Sequence, residues 1–403
     1  MMAARSPFAE VPQAPPDPIL GITEAFLADT NPDKVNLGVG VYLDENGKVP
    51  ILTCIAEAQR RWLAKEDSKS YLPIDGVKAY NRHVQELVLG QNSAAVSERR
   101  AVTIQTLGGT GALRVGAELL GRFVPGRTVW ISTPSWENHR ALFEAAGHTV
   151  NQYPYYDPRS QDLDFAEMAG RIGQLPERSV VLLHACCHNP SGVDPTHEEW
   201  LKLRDIIQER NLVPFFDFAY QGLGDGLDED AFAVRAFVEA GIPCLIANSF
   251  SKSFSMYRER VGGLTVVTES PDEAGRVLSQ LKRIVRASVS NPPSFGAQAI
   301  AVVLDDPDLS AQWRSELDAM RARIKKMRRM FAAILGGKGL DCDYGFIERQ
   351  RGMFSFLGLP VTAVHRLRSE FSIYAVDSSR VCVAAMNERN VERIADAVAA
   401  VSG

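Results

Sequence analysis

Nowhere in these 403 residues does an apolar run reach the roughly 18 residues that a membrane-crossing helix needs. The opening stretch, MMAARSPFAEVPQAPPDPIL, has no apolar h-region, so it does not read as a secretory signal. One arginine and several prolines fit an extended arm instead. Cysteine is scarce: there are six, Cys54, Cys186, Cys187, Cys244, Cys342 and Cys382, and none forms a CxxC pair. Paired-thiol motifs are thereby excluded, and most of the six sit in apolar stretches, as buried free thiols of a reducing cytoplasm would. Cys186, Cys187 and His188 invite a metal reading. Neighbours on a strand point to opposite faces, so they are not expected to share an ion, and no metal is expected. A charge excess is missing too. With 44 basic and 49 acidic residues the net charge is −5, which argues against a nucleic-acid partner but leaves a locally cationic cleft possible. There is no internal repeat, and no low-complexity tract beyond the proline-rich start.

What is present is the patterning of a large α/β protein. At 403 residues and 45% hydrophobic content, the chain is too long for one ordinary core. Helix-like and strand-like segments alternate from about residue 75 to 270. Ala112–Phe123, His139–Ala146 and Glu198–Arg210 have helical spacing. Thr128–Ile131, Val180–Cys187, Leu212–Phe216, Cys244–Asn248 and Gly263–Val267 read as strands, several buried on both faces. This rhythm predicts a mostly parallel sheet covered by helices. Beyond 305, Leu317, Met320, Ile324, Met327, Phe331 and Ile334 recur at three- and four-residue steps, so a long amphipathic helix is expected with its basic face in water. Met353–Leu357 and Val381–Ala385 look like strands of a smaller domain.

Ligands of open α/β sheets bind beyond the carboxyl ends of the strands. After the strand-like run ending at Phe216 come Asp217 and Tyr220. After Cys244–Ala247 comes Asn248-Ser249-Phe250-Ser251-Lys252. After Val180–Cys187 comes His188-Asn189-Pro190, and after Ala101–Gln105 comes Gly108-Gly109-Thr110-Gly111. An acid, a phenol, a lysine, an amide and a glycine-rich turn are thus expected on one rim. Singly these signals are ambiguous. The glycine turn lacks the Lys-Ser/Thr of a P-loop and the third dinucleotide glycine, but at a helix start it could bind one phosphate, or be an ordinary turn. Lys252 could be a Schiff-base amine or a lysine in water. Asp217 could serve a metal, a ribose or a ring nitrogen. Pyridoxal phosphate (PLP) needs the whole set: a lysine, an acid for the pyridinium nitrogen and a phosphate cradle.

The segments NSFSKSFSMYRERVG, HACCHNPSG, FFDFAYQG, TLGGTGALR and TPSWENH resemble, in register, the fold type I, class I aminotransferases of the aspartate/aromatic subgroup. Bacterial aromatic-amino-acid (tyrosine) aminotransferases are the nearest pattern. The likeness runs from DPILGITEAF, near Asp17, to SSRVCVAAMN. It implies an α/β fold with a mostly parallel sheet in a large PLP-binding domain, residues 45–310. A smaller α/β domain would combine residues 1–44, which include the arm, with 311–403.

By resemblance, Lys252 is the Schiff-base lysine and proton shuttle, Asp217 the partner of the pyridinium nitrogen, and Tyr220 and Asn189 donors to the ring's phenolic oxygen. Trp136 resembles the aromatic stacked on the ring, and His139 and His188 histidines near Asp217. Gly109, Thr110, Ser249, Ser251 and Arg260 resemble the phosphate cup, joined by Tyr71 from a partner subunit. Arg380 resembles the α-carboxylate fork and Gly38 a backbone contact beside it. Arg286 resembles an arginine lent to the neighbour to read a distal carboxylate. The X–Pro bonds Thr133-Pro134 and Asn189-Pro190 are often cis in the family. Aspartate-selective relatives usually carry lysine and threonine at Leu43 and Val49, so a more apolar pocket rim is expected here. Thr110 and Asn291 are aspartate-like, Val289 stands where tyrosine is common, and Ser379 replaces a usual glycine.

The expected activity is ping-pong transamination between an L-aromatic amino acid and 2-oxoglutarate, with aspartate also accepted, in a cytoplasmic homodimer with shared sites and without nucleic-acid or membrane partners. The alternative is an aspartate aminotransferase. A PLP β-lyase or decarboxylase is less compatible with paired Arg286 and Arg380. A DNA-binding sensor would need a module in front of Asp17, where no room is expected.

Overall fold

The computed structural model describes residues 6–14, 20–124, 128–340 and 342–402. Seven strands form the central sheet: β1 (Ala101–Leu107), β2 (Thr128–Thr133), β3 (Thr149–Pro154), β4 (Val180–His184), β5 (Val213–Phe218), β6 (Cys244–Ser249) and β7 (Val261–Val267). Their order is β1-β7-β6-β5-β4-β2-β3. Every pairing is parallel except those of β7, which runs against both β1 and β6. All residues of β4, β6 and β7 are buried, which explains why none alternates apolar with polar side chains: helices cover both faces, and apart from Thr265 the polar residues His184, Asn248 and Ser249 come only at the carboxyl ends of β4 and β6.

Register decides what meets at the carboxyl rim. His184 lies opposite Asp217, Phe218 opposite Asn248, and Ser249 opposite Gly262. At β1 the chain turns at once into the helix Gly108–Phe123. Gly108 has φ +67, and a Cβ there would lie 2.6 Å from an Arg260 nitrogen, so only glycine serves this turn.

Several sequence expectations need adjustment. β4 stops at His184, because the next residues leave the sheet and Cys187 adopts φ +53. Val381–Ala385 is not one strand. Arg380–Cys382 pairs with Phe354–Phe356, and Val383–Ala385 is a 3-10 turn. Both X–Pro bonds named above are cis. Around the N-terminus, residues 1–5 and 15–19, with Asp17, lie outside the described residues. Between them the chain is not simply extended, since Ala9 N–H bonds to Ser6 O at 3.0 Å and Val11 N–H to Phe8 O at 3.1 Å.

The helix Pro307–Gly336 is capped by Asp306, whose carboxylate accepts the N–H groups of Asp308 and Leu309, both at 3.0 Å. Leu309, Trp313, Leu317, Met320, Ile324, Met327, Phe331 and Leu335 bury its apolar stripe. Its basic face is not wholly in water, however: Arg328 is only 2% exposed. The N-terminal residues Val35–Asn36 pair in parallel with Ile373–Tyr374, tying the two ends of the chain together. Among the described residues no helix is long and apolar enough to cross a membrane.

Candidate active site

A cavity of about 500 Å³ opens at the carboxyl rim of the sheet. It is bordered by Gly109, Thr110, Trp136, Asn189, Asp217, Tyr220, Ser249, Ser251, Lys252, Arg260 and Arg380. Eleven of the residues singled out from sequence thus surround one space. Gly38 joins them through its carbonyl, which accepts from Arg380 Nη2 at 2.7 Å. Tyr71 and Arg286 do not. Tyr71 is 92% exposed, and Arg286, in the last turn of the helix Pro271–Ser288, is exposed and bonds Ser290.

Lys252 follows β6 and places its Nζ 4.9 Å from the centre of the Tyr220 ring. Burial pushes its amine down to about 8; Asp217 opposes this shift, while Arg260 and Arg380 add to it. About a tenth of this amine is therefore neutral and nucleophilic at pH 7, far more than for a lysine in water. Asp217, at the end of β5, is buried and accepts from His139 Nε2 at 2.9 Å. Burial alone would raise its carboxyl. The hydrogen bond from His139 and the positive charges facing it, with Lys252 among them, outweigh that and hold it below the ordinary range. It stays ionised. His139 is oriented in turn by Ser135 at 2.9 Å and stands edge-on to Trp136 at 5.2 Å.

His184 is a functional neighbour that the sequence reading passed over. It packs between His139 (5.1 Å) and His188 (4.4 Å), and neither of its ring nitrogens has a hydrogen-bond partner among the described residues. Burial depresses it to about 3 and holds His188 well below its ordinary value, so both rings are neutral. Its signal was available, since His184 is the last residue of a buried strand, beside Asp217.

A cradle forms where the helix Gly108–Phe123 begins. A Cβ on Gly109 would lie 3.1 Å from Ser249 Cβ, so the bare backbone is what leaves room. Ser249 and Ser251 hydroxyls are 3.2 Å apart, and Arg260 Nη1 reaches Ser251 Oγ at 3.3 Å. Hydroxyls, a guanidinium and free helix N–H groups suit a phosphate. With the amine of Lys252 and the carboxylate of Asp217 facing the same cavity, the donor set fits PLP.

Arg380 also borders the cavity and is 1% exposed. Nη1 donates to Asn189 Oδ1 at 3.0 Å, and the guanidinium lies 4.3 Å from the Phe354 ring centre. Its Nε has no partner among the described residues. A buried cation held only by neutral groups is costly, and a substrate carboxylate would relieve that cost. Beside it, Ser379 takes φ +70, the conformation that glycine would adopt freely. Its Oγ compensates by accepting Leu359 N–H at 2.9 Å.

The apolar lining comes from residues not anticipated: Val39, Val41, Leu113, Ala219, Tyr257 and Phe354. Leu43 and Val49, expected at the rim, do not border the cavity within one chain. Leu43 packs on the core and Val49 is 41% exposed. The argument against convergence of Cys186 and Cys187 also fails. Both lie past the end of β4, and their sulfurs gather with an Asp230 oxygen within 4.8 Å of one another. His188 is not part of that group. The Asp230 carboxylate is already engaged by the N–H groups of Gly222, Gly224 and Asp225 at 2.8–2.9 Å. A second potential ligand group, His139, His184 and Asp217, is the one described above.

The family model for aminotransferases of class I and II matches residues 32–398. An aspartate aminotransferase of Pseudomonas aeruginosa is 50% identical over 391 residues, covering 97% of this chain and 98% of that protein. An aromatic-amino-acid aminotransferase of Escherichia coli is 47% identical over 386 residues, covering 96% and 97%. The crystal structure of an aromatic-amino-acid aminotransferase from Burkholderia pseudomallei, covalently bound to pyridoxal phosphate, superposes with TM-score 0.96 at 50% identity, covering 99% of this chain and 100% of that one.

Proposed function

The chain belongs to the class I and II aminotransferases and depends on PLP, and from that premise we propose that it transfers the amine of an L-aromatic amino acid to 2-oxoglutarate and also accepts aspartate. The observation that carries this reading is the buried Arg380, short of anionic partners, facing a cavity with apolar walls. When bound, PLP supplies an electron sink for the carbanion left as a substrate Cα loses its proton. The chain's residues do the rest. Arg380 grips the α-carboxylate in a fork, with Gly38 and Asn189 fixing its plane. Lys252 Nζ takes the proton from Cα and would deliver it to the cofactor's C4′, so that the amine stays with the cofactor. Asp217 keeps a proton on the ring nitrogen, and His139 keeps Asp217 ionised. Tyr220 and the amide N–H of Asn189 would donate to the phenolic oxygen. Trp136 would stack on the ring, and Gly109, Thr110, Ser249, Ser251 and Arg260 would hold the phosphate. Substrates are small amino and keto acids.

Aspartate aminotransferase remains the second reading, favoured by the 50%-identical Pseudomonas aeruginosa relative of that name.

The working unit is a homodimer in which Tyr71 and Arg286 serve the neighbour's site. Supporting this are their distance from their own cavity and a set of exposed apolar side chains, Phe8, Val11, Ile51, Leu63 and Val289. The division into 45–310 and 1–44 with 311–403 is supported by the pairing of Val35–Asn36 with Ile373–Tyr374. A cytoplasmic location suits the buried free thiols; Cys342 alone is exposed.

Dual specificity requires one pocket to take both a ring and a carboxylate. A guanidinium fixed against a buried ring would be an unpaired charge, so Arg286 pairs with acidic substrates and turns to solvent for aromatic ones. Arg286→Ala should therefore cost aspartate and 2-oxoglutarate roughly 2–5 kcal/mol in kcat/KM, while phenylalanine loses little. Half-reactions followed one substrate at a time separate the cases. Equal losses for phenylalanine and aspartate would remove Arg286 as the reader of the distal carboxylate.

A further inference from the structure

Arg328 is the one long cation of the helix Pro307–Gly336 that lies fully inside the protein, 2% exposed. Its Nη1 donates to Ser355 Oγ at 2.6 Å and to Ile347 O at 3.2 Å. Its Nη2 donates to Gly352 O at 2.7 Å, to Arg351 O at 3.2 Å and to Phe354 O. Each of these acceptors is a carbonyl or a hydroxyl, and none is a carboxylate. Burial pushes the guanidinium down to about 10, a mark of how poorly its charge is compensated. A well-packed apolar residue would serve stability as well or better. The arrangement makes more sense as a means of holding geometry, since a planar fork fixes several carbonyls at once.

What it holds is the floor of the carboxylate site. Phe354 is gripped through its carbonyl, and its ring lies 4.3 Å beneath the Arg380 guanidinium and 6.0 Å from Tyr220. The strand Phe354–Phe356 pairs with Arg380–Cys382, with Phe356 opposite Arg380. The gripped turn also presses on the loop that carries Asn189. Arg351 N–H bonds Gly192 O at 2.6 Å, and Gly192 N–H bonds His188 O at 2.7 Å. Contact there is close enough to demand glycine on both sides. A Cβ on Gly352 would lie 2.4 Å from Cys187 Cβ, and one on Gly192 would lie 2.7 Å from Phe354 O. Asn189 Oδ1 in turn accepts from Arg380 at 3.0 Å.

We propose that Arg328 is a positioning residue for Arg380: by clamping residues 347–355 it sets both the Phe354 ring beneath the guanidinium and the Asn189 loop beside it, and thereby the affinity for a substrate's α-carboxylate. This rests on the reading of Arg380 as the carboxylate fork.

The test uses the PLP-loaded enzyme and two probes, 3-phenylpropionate and its neutral amide, with Kd measured by calorimetry and Tm measured alongside. Arg328→Gln should weaken 3-phenylpropionate on the order of 10-fold or more, and the amide by less than about 2-fold, because displacement of a site by a fraction of an ångström is felt mainly by the directional charged contact. Arg328→Lys, which keeps the charge but cannot span the carbonyls, should fall between Gln and the parent. Ser355→Ala, a milder change, should shift the ratio of the two Kd values in the same direction, and it decides the matter if Arg328→Gln does not fold. A lowered Tm with an unchanged Kd ratio in these variants would overturn the proposal. Arg380→Ala is the control. If it abolishes the preference for the carboxylate while the Arg328 and Ser355 variants keep theirs, only the positioning role fails. If it leaves the preference intact, the Arg380 reading fails and the positioning role fails with it.

Discussion

Enzyme carrying Lys252→Ala should bind PLP only reversibly, gain no cofactor mass after borohydride treatment, and lose turnover by on the order of 10⁴-fold. Two functions are removed at once. Among the described residues the amine is the only lysine nitrogen bordering the cavity, so no other side chain there can form the covalent link to the cofactor. It is also the group placed to carry a proton to and from Cα. The parent chain offers a further check. With its pKa pushed down to about 8 from 10.5 by burial, the amine becomes neutral as pH rises through about 8. Cofactor capture by the cofactor-free chain should accelerate over that interval and level off well below pH 10.5. Near-normal turnover in the variant would refute the assignment outright.

Asp217→Ala should lower kcat on the order of 10²-fold or more and weaken cofactor binding. The carboxylate is kept ionised against its own burial by His139 and by the surrounding charges, and an ionised acid is what keeps a ring nitrogen protonated. With alanine there, the ring loses its partner, and His139 Nε2 loses its acceptor inside the protein. The second loss would cost about 1–3 kcal/mol of stability, so Tm must be read alongside kcat. A fall in Tm with unchanged kcat in the folded variant would mean that another group protonates the ring.

The sheet and the site's main residues were legible because they depend on local signals. Fully buried strands such as Val180–His184 leave continuous apolar runs, and Asp217, Asn189 and Lys252 stand at or just past strand ends; singly they were ambiguous, and it was the resemblance of their flanking segments that gave them roles. The misses share a different cause. Phe354, Val39 and Tyr257 line the cavity through side-chain direction, which depends on how the small strands Phe354–Phe356 and Arg380–Cys382 meet the large sheet. Arg328 looked like one more cation on a basic face, because helical periodicity locates the apolar stripe but not the edge at which a neighbouring turn covers it. Cys186 and Cys187 were assigned to opposite faces on the assumption that β4 continued. The φ of +53 at Cys187 ends that alternation and has no counterpart in residue type, since Cys is not a residue that favours it. Ser379 is the reverse case: the resemblance, with glycine usual at that position, pointed to an unusual backbone, and φ +70 is there.

The most direct measurement is kcat/KM for tyrosine, phenylalanine and aspartate, each with 2-oxoglutarate as acceptor, on the PLP-loaded enzyme. The expected result is turnover of all three to glutamate, with the aromatic donors at least equal to aspartate, as the valine and phenylalanine walls of the cavity require. Efficient use of aspartate with tyrosine and phenylalanine lower by about 100-fold or more, a gap of roughly 2.7 kcal/mol in transition-state binding, would contradict an aromatic pocket and leave an aspartate aminotransferase.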